Sequence, residues 1–204
     1  MSWRSITRLD TSSYTGRHLV ELDSEAAQRT AYSERYFSTV KATIQRFAPK
    51  HMYLGCRFTR NFKQMEAVAK AAGNHVDVLS INVYAATPIR EQMDQWYTAA
   101  QKPILLGEHH IPPITPKQFL PHWPAFELQE RNRMVEKYVY TWLEFPYSLG
   151  SHWYQYKDQE VAGRGDGGEN QPVGLVTVTD QLNEELVKTY YQIAQEITSR
   201  WLGN

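Results

Sequence analysis

Hydrophobic spacing along the chain switches repeatedly between a helical period and short apolar runs. Residues 24–47 (SEAAQRTAYSERYFSTVKATIQRF) carry apolar and aromatic groups at helical spacing, with Ser24 placed to cap the helix and Pro49 to stop it. HMYLGCRF (51–58) reads as a strand. The next helix runs through FKQMEAVAKAA (62–72) and ends at Gly73, expected to take the left-handed cap. VDVLSINVY (76–84) is a second strand, after which Thr87 and Pro88 cap and open a helix that reaches about Ala100. A third strand covers 104–108, a loop rich in Pro and His covers 109–126, and a helix covers about 127–144. LGSHWYQY (149–156) is the fourth strand. A polar, Gly-rich loop (157–173), a short extended piece GLVTV (174–178) and a helix from Asn183 to Leu202 follow.

Alternation of strands and helices predicts parallel strands covered by helices. The strand starts at 51, 77 and 104 lie about 26 residues apart, which suits right-handed crossover units. No repeat or low-complexity linker divides the 204 residues. They read as one α/β domain, with a leading helical segment over 1–50 and four βα units over 51–204.

Composition then removes several function classes. With 22 basic and 22 acidic residues and no long charge block, nothing attracts nucleic acid or an anionic membrane. No run approaches the ~20 apolar residues of a membrane span, and the N-terminus has no signal-peptide apolar core. The one cysteine, Cys56, excludes an internal disulfide framework and reads as a small buried apolar residue rather than a nucleophile. His109, His110, His122 and His152 are candidate metal ligands, but neighbours on a strand face opposite sides, so His109 and His110 are poorly placed to share an ion. GRGDGG (163–168) neither opens a helix directly nor carries Lys-Ser/Thr, which argues against a nucleotide loop. No metal or cofactor is expected. The unusual feature is the 6 Trp and 13 Tyr. Most such rings fill cores and helix seams, yet a flat ring also packs on the apolar face of a sugar while its polar edge hydrogen-bonds.

In parallel α/β folds the chemistry gathers at the C-terminal strand ends. There the first strand delivers Cys56, Arg57 and Phe58, and the second delivers Asn82 and Tyr84. The third delivers Glu108, His109 and His110, and the fourth Trp153, Gln155, Tyr156 and Asp158. A carboxylate, a tyrosine, an arginine, an asparagine and a tryptophan on one rim suit a sugar-processing site. The same pattern also fits a solvated Glu108 and a Trp153 that plugs the sheet end.

The stretch GEHHI…ERNRMVEKYVYTWLEFPYSLGSHWYQYKDQEVAGRGDGGENQPVGLVTVTD resembles the C-terminal half of β-agarase-type glycoside hydrolases. Gly-Glu-x-His, His-Trp-x-Gln-Tyr-x-Asp, Gly-Arg, Gly-Glu-Asn and Thr-Asp occur in the family's order, densest from Gly107 to Asp180. The resemblance implies half of a (β/α)8 barrel, with the four strands as barrel strands five to eight. It implies that Glu108 is the nucleophile of a retaining mechanism, that Tyr84 orients it, and that Trp153 is the platform for the sugar at the cleavage point. Asn82, Arg57, His110, Gln155, Asp158, Arg164, Glu169 and Asn170 become candidate hydroxyl-binding groups for a galactan-type polysaccharide. For a full-length form it suggests a secreted or periplasmic location.

Retaining hydrolysis needs a second carboxyl group roughly 5–5.5 Å from the first. In the family this is the glutamate of an Asn-Glu pair ending strand four, and Met1-Ser2-Trp3 looks like the segment directly after it. Glu21 and Glu25 lie in or before a helix and Glu144 closes one, so none is placed to substitute. The expectation is a half barrel that is catalytically incomplete alone. Its open edges and apolar lining, with Leu54, Leu79, Ile81 and Leu105 or their alternates facing water, predict association with a second copy or a partner chain. Carbohydrate binding without catalysis, or an unrelated doubly wound domain with strand crossings, are the alternatives.

Overall fold

A computed structural model describes residues 17–59, 62–114, 124–165 and 168–202; the Met1–Trp3 segment, His122 and Asp166 lie outside them. Four strands, β1 (Arg57–Thr59), β2 (Leu79–Asn82), β3 (Ile104–His109) and β4 (Ser148–Trp153), form one parallel sheet in the order β1-β2-β3-β4. Among the described residues five helices accompany them: α1 (Arg17–Phe47), α2 (Phe62–Gly73), α3 (Arg90–Ala100), α4 (Leu128–Leu143) and α5 (Glu184–Leu202). Sequential neighbours with no crossing are the order of a barrel segment, not of a doubly wound sheet.

Each helix has an apolar stripe to bury. Val135, Tyr138, Val139 and Trp142 of α4 recur at i, i+3, i+4 and i+7 and are buried, as are Met93, Trp96 and Ala100 of α3. They close over Leu79, Ile81, Ile104 and Leu106, all fully buried in the same core cluster. At ~1.5–3 kcal/mol for each large apolar side chain, this helix-facing layer supplies the main stabilisation.

Several local expectations need correction. Ser24 lies inside α1, not at its cap. Gly73 has no left-handed conformation among the positive-φ residues; it is needed because a Cβ there would sit 2.3 Å from the Ala100 carbonyl oxygen, where α2 crosses α3. Helix α3 starts at Arg90 with Ile89 as an N-cap that makes no side-chain bond, so Thr87 and Pro88 belong to the preceding turn. Residues 51–56 are not strand: Asp77 instead takes the Tyr53 N–H and the Lys41 ammonium, fixing that segment through a side chain. Strand β4 ends at Trp153, so Gln155, Tyr156 and Asp158 lie in the loop beyond it.

The largest correction concerns the lining. Leu79 and Ile81 are 0% exposed and Leu105 is buried; of the four predicted lining residues only Leu54 is open. Leu79, Ile81, Ile104 and Leu106 turn to the helices, and the other face carries Arg57, Ser80, Asn82, Tyr84 and Glu108 together with Leu105, which pairs in register with Ser80. An inner face of that chemistry tolerates water.

Candidate active site

Strict alternation would send Glu108 to the same side as Ile104 and Leu106, under the helices. The register prevents this. Ile81 pairs with Leu106, but Asn82 pairs with Glu108, so one residue of β3 is skipped. This bulge re-aims the carboxylate to the inner face. Gly107 makes it possible, because a Cβ there would lie 2.4 Å from Ser80 Oγ and 2.9 Å from Asn82 Oδ1. Past the bulge, Val83 N–H donates to the Glu108 carbonyl at 2.9 Å, and Tyr138 Oη donates to the Val83 carbonyl at 2.7 Å. Helix α4 thus braces the segment that delivers Tyr84.

Both oxygens of the Glu108 carboxylate are engaged. Arg57 Nη1 donates to Oε1 at 2.6 Å and Tyr84 Oη donates to Oε2 at 2.5 Å. Burial, then the bond to Glu108, pushes the Tyr84 phenol far above its ordinary pKa, so it remains a donor.

The neighbouring histidines divide between the faces. His109 is fully buried, stacks on Tyr138 with ring centroids 4.6 Å apart, and meets Tyr190 Oη through Nε2 at 3.0 Å. Burial pulls its pKa down to about 3. His110 lies over Tyr84 with centroids 4.7 Å apart, and its Nδ1 meets the Tyr154 carbonyl at 3.0 Å, which requires the proton on Nδ1. Burial lowers its pKa as well. Trp153 follows in the ring series, 6.4 Å from His110, with its indole N–H on the Val173 carbonyl at 2.7 Å.

The loop after β4 folds back to the same rim. Arg164 Nη1 donates to Tyr154 Oη at 2.8 Å and lies 3.5 Å from Glu169 Oε2, which also accepts from Gln159 Nε2 at 3.2 Å. Glu169 acts electrostatically on both Tyr84 and His110. Glu108, Tyr84, Arg57, Asn82, His110, Trp153, Arg164 and Glu169 therefore form one connected neighbourhood. Gln155, Asp158 and Asn170 are engaged with loop backbone instead, on Lys157 O, Gly174 N and Val161 O respectively. Gln155, Asp158 and Arg164 also line a recess of about 530 Å³ beside the site.

Sequence reading passed over Tyr154 and Gln159. Tyr154 lies just past the end of β4 at Trp153, where the chain turns and strand alternation no longer fixes its side. Gln159 is buried within a polar loop, where no periodicity marks it; its amide holds Gln171 N–H as well as Glu169. Among the described residues, no three His, Cys, Asp or Glu gather to hold a metal ion, and no helix is long and apolar enough to cross a membrane.

A sequential parallel sheet with flanking helices and a carboxylate raised at its C-terminal rim matches part of a glycoside hydrolase barrel. The chain is homologous to β-agarases over most of its length. It is 34% identical over 170 residues to β-agarase B of Vibrio sp. (strain JT0107), covering 81% of this chain and 17% of that protein. The crystal structure of the agarase AgWH50C superposes with a TM-score of 0.79 at 28% identity, covering 94% of this chain and 27% of the other. An exo-β-agarase structure gives a TM-score of 0.76 at 32% identity, covering 85% and 23%. The chain thus spans about a sixth of the length of the curated relatives it matches. No protein-family model matches it.

Proposed function

We propose that these residues form the nucleophile-bearing half of a retaining, β-agarase-like site, with β1 to β4 as barrel strands five to eight. Glu108 attacks the anomeric carbon of a galactan-type sugar, Tyr84 and Arg57 hold its carboxylate, and Trp153 carries the sugar ring. His110, Asn82, Arg164 and Glu169 are the nearest groups for sugar hydroxyls, with Gln155 and Asn170 further along the rim. The observation that carries the reading is the bulge at Gly107, which turns Glu108 out of the helix-facing layer and between two donors. In this reading Glu108 has no acid/base partner among the described residues, and the isolated chain is expected not to turn over agar-type galactans.

Activated substrates separate these statements. A 2-deoxy-2-fluoro-β-galactosyl fluoride needs no proton on its leaving group: the C1–F bond breaks, fluoride departs, and a C1–O bond forms to the carboxylate. Mass spectrometry is expected to find one label, on Glu108, and none in Glu108→Gln. Agar-oligosaccharide hydrolysis by the isolated chain that vanishes in Glu108→Gln would overturn the incompleteness. The ion pair with Arg57 favours a second reading, carbohydrate binding without chemistry. Tryptophan quenching by agaro-oligosaccharides with no label on Glu108 would select it.

Self-association belongs to the same proposal. Among the described residues, edge strands β1 and β4 each have one neighbour, and beside β1 lies a groove of about 300 Å³ lined by Tyr32, Tyr36, Phe37, Met65 and Val68. Two copies about a two-fold along the barrel axis would join β1 to β4 in parallel and close eight strands. Sedimentation is expected to give a dimer at micromolar concentration; a stable monomer would count against it.

A further inference from the structure

The peptide unit between Val173 and Gly174 is held from both sides. Its carbonyl accepts the Trp153 indole N–H at 2.7 Å, and its N–H donates to Asp158 Oδ1 at 2.6 Å. Because the unit is planar, neither group turns without the other. Its seat admits no side chain: a Cβ on Gly174 would lie 2.2 Å from both Asp158 N and Val176 O. Backbone pairing fixes the register, with Asp158 N–H on Val176 O at 2.9 Å and Val176 N–H on Tyr156 O at 2.9 Å. Behind Asp158 stands Arg131, almost wholly buried on α4, whose Nη2 donates to Asn183 Oδ1 at 3.1 Å and whose charge acts on Asp158. Asn183 N–H in turn bonds the Leu175 carbonyl at 2.8 Å, so the segment just past the clamped peptide is tied to the same arginine.

We propose that Asp158 is a positioning residue: through the Val173–Gly174 peptide it sets the orientation of the Trp153 indole, and it does not itself hold a sugar hydroxyl. The inference rests on Trp153 being the sugar platform of the proposed site only where affinity is concerned; the clamp stands on the hydrogen bonds. A ring that rotates freely about its side-chain torsions makes a poor stacking surface, and fixing its polar edge leaves the face available.

The test reads the indole N–H directly. In a ¹H–¹⁵N spectrum, Trp153→Phe identifies the Trp153 cross-peak, and the Trp142 indole, bonded to the Gly150 carbonyl at 2.9 Å, serves as an internal control. Asp158→Ala is expected to move the Trp153 peak upfield and broaden it while Trp142 stays in place. Asp158→Asn, which retains an acceptor, is expected to restore the wild-type position. An agaro-tetrasaccharide titrated by tryptophan quenching is expected to bind about tenfold more weakly to Asp158→Ala and normally to Asp158→Asn. A folded Asp158→Ala with an unmoved Trp153 peak would overturn the inference. So would an Asp158→Asn peak displaced as far as the alanine variant's, since charge beside Arg131 would then be the cause. If the alanine variant does not fold, Asp158→Glu keeps the charge and shifts the acceptor by one methylene; its Trp153 peak is expected to move, and constancy would defeat the clamp. Absence of oligosaccharide binding to the wild-type chain would count against the sugar site alone, because the indole peaks decide the clamp without ligand.

Discussion

The two faces of the sheet obey different rules. On the helix-facing side Leu79, Ile81, Ile104 and Leu106 are fully buried, and their partners are interchangeable apolar surfaces. On the inner side Arg57, Tyr84 and Glu108 meet through specific donors at hydrogen-bond distance, and Asn82 Oδ1 lies buried with no partner of its own. Packing holds the first face together regardless of identity beyond size. The second face is organised by geometry, and one skipped residue at Gly107 decides which face receives the carboxylate. Stability and chemistry are thus separated by a strand's two-residue period, and a single bulge transfers one position between them.

The strongest way to sharpen that contrast is to cut into each face. Leu106→Ala leaves a cavity in a layer with no exposure, and ~2–5 kcal/mol of stability is expected to be lost in urea denaturation. Thr59→Ala, exposed on the other side, is expected to stay within ~0.5 kcal/mol of wild type. Similar costs for both would mean that the inner face carries packing after all. A smaller loss attends Gly107→Ala, where the added methyl must displace Ser80 Oγ or Asn82 Oδ1. We expect ~1–3 kcal/mol by thermal melting, together with loss of covalent labelling at Glu108. Wild-type melting and labelling would show that the bulge has slack.

Much of the fold was legible in the sequence because it follows from periodicity. The apolar stripe of α4 and the runs VDVLSINVY and KPILLGEH announce their elements directly, and their alternation announces the parallel sheet. Glu108, Tyr84 and Trp153 were placed at one rim by strand ends and by resemblance, and they do lie in one connected neighbourhood. What stayed hidden depends on contacts between distant segments. Gly73 is required by its approach to Ala100, not by a cap, and Asp158 turns to Gly174, which nothing near it in the chain foretells. Leu79 and Ile81 were misassigned for a related reason: a run such as VDVLSINV, apolar almost throughout, does not say which face is which until the helices that pack on it are known.

His109 and Glu108 offer the finest probe, being adjacent residues on opposite faces. His109 is enclosed by Tyr138 and Tyr190, with His110 and His152 as its titratable neighbours. Its folded pKa of about 3 lies well below the ordinary value near 6.5. Between those values the unfolded chain binds a proton at this residue and the native chain does not, so stability rises with pH there. The contribution is complete above about pH 6.5 and is lost as pH falls toward 3, at up to about 1.4 kcal/mol per pH unit. Denaturant titrations across this window are expected to give a shallower slope for His109→Gln than for wild type. An unchanged slope would mean that the helix-facing layer admits a charged imidazole, and the division between a dry face and a chemical face would fail at the residue next to the bulge.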